Sequence, residues 1–185
     1  MNRQTLAAAV AVAVFSLPAA AGSHVEEFHA TFSGFNEVGG LGAGETGAIL
    51  SAGAAQLRLV LDRGTQAVQF TLTYSGLSAP VTQAHIHFGK VHVAGGVMVF
   101  FCSNQPTAPA GVQPCPAGGG TVTGTITAAN VLPVAGQNVS AGDFDALTDA
   151  LTSNTAYANI HTSSFPAGEI RGEIRRGGSG GDRDD

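Results

Sequence analysis

Apolar and polar side chains alternate through most of this chain, the period of a strand with one buried face. Phe28, Ala30 and Phe32 alternate with His29 and Thr31, giving a first strand before a Gly-rich connection over Ser33–Gly47. Ala54–Leu61 is a second strand. In Gln66–Tyr74, Val68, Phe70, Leu72 and Tyr74 point inward against Gln69, Thr71 and Thr73. The turn Asp62-Arg63-Gly64 makes these two a hairpin. Val81–Gly89 (VTQAHIHFG) sets Gln83, His85 and His87 on one face and Ala84, Ile86 and Phe88 on the other. Val97–Cys102 is continuously apolar, as in a strand covered on both faces. Gly120–Thr127, with Val122 and Ile126 inward, Tyr157–His161 and Glu169–Ile174 complete the strands. Only Asp143–Thr152 breaks the pattern: Phe144, Leu147 and Leu151 recur at helical spacing behind Ser140 or Asp143 as cap. The expected fold is all-β, about eight or nine short strands and one short helix in a sandwich or barrel, with a two-layer Greek-key sandwich preferred.

Composition adds an address to this picture. Arg3, the apolar run Leu6–Leu17 and the small residues Ala19-Ala20-Ala21 read as a secretory signal peptide over 1–21. That run is shorter than the ~20 residues a membrane span needs, so no transmembrane segment is expected after cleavage. The folded domain is expected over 22–176, and the GGSGGDRDD run over 177–185 as a disordered tail. Losing Arg3 leaves seven basic residues against thirteen acidic and takes the formal charge from −5 to −6. With no basic cluster beyond Arg175-Arg176, a nucleic-acid partner is not expected. A secreted or periplasmic location follows. It agrees with an even pair of cysteines, Cys102 and Cys115, read as one disulfide closing a Pro-rich loop.

The candidate chemistry lies in the histidines. His85 and His87, two apart on one strand, project the same way, and Tyr157, Asn159 and His161 share one face of a later strand. Imidazole is the commonest ligand of copper and zinc, so His85, His87 and His161 are the expected metal ligands, with His29 or His92 as a fourth. Asn159, Glu169 and Arg171 are expected behind them, orienting a ligand ring by hydrogen bonding. The competing reading makes the strand histidines outward polar residues bonded to Glu169 or Asn159. Nitrogens ~3–4 Å apart at one point favour the metal. No catalytic residue is assigned. The sequence offers no nucleophile elbow between a strand and a helix, no H-E-x-x-H helix and no phosphate-binding loop, and Glu169 and Glu173 beside two arginines read as ion pairs.

The segments GFNEV (34–38), VTQAHIHFG (81–89), GTVTGTIT (120–127), YANIHT (157–162) and PAGEIRGEI (166–174) together resemble the CHRD domain, the module named from chordin. The resemblance covers Phe28 to Arg175, while the loop holding Cys102 and Cys115 is outside the family pattern. It implies an immunoglobulin-like or superoxide-dismutase-like sandwich in an exported protein, with the recurring positions on His85, His87, His161, Glu169, Arg171 and Gly172. Two function classes follow. One is a binding or structural module with a copper or zinc site, whose partner is an unknown extracellular or periplasmic protein or surface component. Phe35 and Leu41 are its candidate loop contacts, against the preferred alternative that they pack back on the sheet. The other is a copper-dependent, superoxide-dismutase-like oxidoreductase.

Overall fold

The computed structural model describes residues 25–39 and 47–177. The expected signal peptide over 1–21, Leu41 and nearly all of the expected tail over 177–185 lie outside the described residues. The strands are β1 (Val25–Phe32), β2 (Ala54–Asp62), β3 (Ala67–Ser75), β4 (Val81–Phe88), β5 (Gly96–Ser103), β6 (Gly120–Ile126), β7 (Ala156–Thr162), β8 (Ile170–Glu173) and β9 (Arg175–Arg176), with one helix, α1 (Phe144–Thr152), between β6 and β7.

They form two antiparallel sheets, ordered β6-β3-β2-β1-β9 and β5-β4-β7-β8. The chain crosses from β3 to β4, back from β5 to β6 beside β3, and again from β6 to β7 beside β4. Pairing of strands distant in sequence through such crossings is the Greek-key arrangement expected of a sandwich. The alternating apolar residues meet between the layers: Phe28, Leu57, Leu59, Leu61 and Leu72 from the first sheet, Ala84, Ile86, Ile160 and Ile170 from the second, all buried. Phe144, Leu147 and Leu151 add the apolar side of α1 to this core, and Asp143 caps the helix by accepting from the Ala146 amide at 2.9 Å.

The apolar run of β5 has a specific cause. Its pairing with β4 shifts register between Ala84 and His85 and again between Ile86 and His87. Each shift breaks strict alternation and turns the strand locally, so Met98, Val99, Phe101 and Cys102 are all buried. The shifts flank the two β4 histidines.

Cys102 and Cys115 are bonded, with Cα atoms 5.0 Å apart and a separation of thirteen positions in sequence. Closing a ring of this size stabilises the folded state by ~3 kcal/mol in the chain-entropy account. The double variant Cys102→Ser with Cys115→Ser is therefore expected to lower the denaturant midpoint in proportion, without change in the far-UV circular dichroism. An unchanged midpoint would refute a stabilising role.

Candidate metal centre

Register decides which side chains meet on the face of the second sheet away from the core. Across β4 and β7, His85 stands opposite Asn159 and His87 opposite Tyr157, with His161 one pair further along opposite Gln83. Across β7 and β8, Asn159 stands opposite Arg171 and Tyr157 opposite Glu173. Directly paired Cβ atoms are ~5 Å apart and diagonal ones ~7–8 Å, within reach of an imidazole. His85, His87 and His161 thus come together: each offers a ligand nitrogen, all within 4.8 Å of one another.

This face is not open to water. His85 is 2%, His87 8% and His161 7% exposed, which overturns the picture of outward polar residues. Phe100 covers His85 edge-on, ring centres 4.5 Å apart. The segment between β4 and β5 folds over the rest. The turn before β8 adds Pro166, and the segment after β1 adds Glu37, itself 3% exposed.

Two of the three rings are oriented from behind, whereas His85 Nε2 is buried with no hydrogen bond among the described residues. His87 Nδ1 donates to the Gly95 carbonyl at 2.9 Å, and His161 Nδ1 donates to the Pro166 carbonyl at 2.7 Å. A carbonyl only accepts, so both protons are assigned to Nδ1 and both Nε2 atoms are left as lone pairs while the rings are neutral. Burial keeps them neutral. It lowers His87 to about 4, lowers His161 and, with the neighbouring His161 and His87 adding to the effect, holds His85 well below the ordinary histidine value. The free nitrogens converge: His85 Nδ1 lies 3.1 Å from His87 Nε2, and Asn159 Oδ1 lies 3.0 Å from His87 Nε2 and 3.0 Å from His161 Nε2. Two ligands bound at ~2.0–2.1 Å to one zinc or copper ion, ~90–110° apart, are separated by ~2.9–3.4 Å. These three contacts fall in that window, while the three histidine nitrogens as a set spread to 4.8 Å.

Of the residues expected behind the ligands, Asn159 reaches them directly. Arg171 acts through Tyr157: the Tyr157 ring stacks on His87 with centres 4.7 Å apart and 7° between planes. The fully buried Arg171 guanidinium lies 3.3 Å from the other face of Tyr157. Arg171 also donates to the carbonyls of Val93 and Lys90, 3.2 Å each, and pairs with Glu173 at 2.9 Å. It thereby ties down the segment that carries Gly95.

Glu169 is engaged elsewhere. Its carboxylate accepts from Ser51 Oγ at 2.6 Å, Thr162 Oγ1 at 2.7 Å, and the Ser78 amide and hydroxyl at 2.9 Å each. Burial pushes its pKa up, but these bonds together outweigh that and leave it lowered. Strand parity does not extend to Glu169 because β8 begins at Ile170, after Gly168 at φ +131°. The fourth-ligand expectations also fail. His29 pairs with Glu27 at 3.0 Å on the first sheet, and His92 is exposed. Phe35 is 66% exposed.

The strand pattern assigns no role at the site to two of its residues. Tyr157 has the right parity, but a phenol is not among the usual ligands of copper or zinc. Glu37 lies in an irregular segment and is singled out only by its place in GFNEV.

No curated protein and no solved structure matches this chain. The family model for the CHRD domain matches residues 28–174. That span runs from the first core phenylalanine to the last core isoleucine, Ile174, and includes the three buried histidines, Asn159 and Arg171. The chain belongs to the CHRD domain family.

Proposed function

We propose that this protein is an exported CHRD module that binds one copper or zinc ion through His85, His87 and His161, and that it serves as a binding or structural unit. One observation carries the reading. Asn159 Oδ1, an acceptor, lies 3.0 Å from each of two further acceptors, His87 Nε2 and His161 Nε2, in a buried site. Lone pairs so arranged repel until a cation lies among them. Nitrogen-rich donors without thiolate suit copper(II) and zinc rather than calcium or magnesium. The disulfide supports an oxidising compartment, and the partner proposed for that setting is an extracellular or periplasmic protein or surface component. Among the described residues no helix is long and apolar enough to cross a membrane.

Calorimetric titration of the purified protein is expected to show one high-affinity site, tighter for copper(II) than for zinc, as the Irving–Williams order requires. His87→Ala is expected to abolish it. Equal heats for wild type and His87→Ala would remove the reading.

A further inference from the structure

Resting on the three-histidine reading, we infer that the centre has a fourth protein ligand, Asn159 Oδ1, and that Glu37 is the positioning residue that keeps this oxygen turned to the metal. An outer-layer residue orients a ligand by bonding the ring nitrogen that faces away from the ion. For His87 and His161 those far nitrogens are already taken by the Gly95 and Pro166 carbonyls. Asn159 approaches the near nitrogens instead, at 3.0 Å to each, close to the 3.1 Å that separates His85 Nδ1 from His87 Nε2. Its oxygen therefore occupies a vertex of the polyhedron that the histidines define. The place is built: Asn159 is 3% exposed, on a central strand between β4 and β8.

An amide can turn over and present its NH2 group to the histidines. Glu37 selects against that. A side chain at Gly168 would put its Cβ 2.4 Å from Glu37 Oε2 and 2.9 Å from Asn159 Nδ2. The two groups thus close on the same point, and only glycine leaves room for them. Glu37 Oε1 accepts from the Val38 amide at 3.1 Å. Oε2 is buried with no hydrogen bond among the described residues, and Asn159 Nδ2 is the side-chain N–H group that closes on the same point. A carboxylate only accepts, so it draws Nδ2 toward itself and leaves Oδ1 on the histidines. Four protein donors, three nitrogens and one oxygen, make a closed centre of the kind that holds structure rather than one that keeps a position free for substrate.

The test is copper(II) loading of the purified protein, read by calorimetry and by electron paramagnetic resonance. Asn159→Ala is expected to weaken binding at least ~10–100-fold and to shift the copper hyperfine and g values, since an oxygen donor is lost. Glu37→Ala should move both readouts in the same direction, while Glu37→Gln, which keeps an acceptor toward Nδ2, should stay near wild type. In wild-type protein the Asn159 side-chain carbonyl carbon resonance should shift when zinc is added, a readout independent of whether any variant folds. Copper affinity and spectrum unchanged in Asn159→Ala, or a carbonyl resonance that does not move, would overturn the fourth ligand and leave the three-histidine site standing. Wild-type protein that binds neither metal would overturn both.

Discussion

Replacing Arg171 by alanine is expected to cost ~3–5 kcal/mol of stability in denaturant unfolding, the range for breaking a buried ion pair by removing one partner. The side chain is fully buried, and its loss strands Glu173 and the Val93 carbonyl, while the Lys90 carbonyl keeps only its bond from the Val93 amide. It also removes the flat cation packed 3.3 Å over Tyr157. Arg171→Lys is expected to recover little, because an ammonium can neither stack on the ring nor fork to Lys90, Val93 and Glu173 together. The loss should reach the metal centre. With the segment before β5 untied, the Gly95 carbonyl no longer fixes His87, so copper affinity should fall in whatever fraction still folds. An Arg171→Ala domain with wild-type midpoint would contradict this role.

Acid is expected to unfold the metal-free domain early. A buried neutral histidine has a folded pKa below its unfolded value, so the unfolded chain binds more protons wherever pH lies between the two. Stability then rises with pH in that window and falls as acid is added. His87 drops from 6.5 to about 4, so its contribution is complete above about pH 6.5 and is lost progressively down to about pH 4. The size is roughly 3 kcal/mol for this residue alone. His161 and His85 shift in the same direction and add to the loss. Protons also compete with metal for the same lone pairs, so bound copper or zinc should lift the acid midpoint. Thermal melts in series from pH 8 to pH 4, with and without zinc, check this. A metal-free melting temperature that is flat across that range would contradict the buried neutral histidines.

The strands are legible in the sequence because one buried face leaves a period of two. Val68, Phe70, Leu72 and Tyr74 show it in a central strand, and the helix betrays itself by the break to Phe144, Leu147 and Leu151. The same parity places His85, His87, Asn159 and His161 on one face. What parity cannot carry is the cover. Nothing in the alternation of VTQAHIHFG tells that Phe100, the Gly95 and Pro166 segments and Glu37 close over the polar side, because covering segments are irregular and their contacts are set by tertiary register. That is why the histidines read as outward residues yet are buried, and why Glu37 is invisible to periodicity. Glu169 shows the opposite failure: counted as part of a strand that starts one residue later, it is assigned to the wrong neighbours.

The decisive measurement is anomalous diffraction from crystals of the protein grown with zinc or copper. The expected result is one strong peak bonded to His85, His87 and His161 at ~2.0–2.1 Å. Peaks confined to surface groups such as His29 and Glu27, with nothing among the three buried histidines at saturating metal, would contradict a metal centre in this fold.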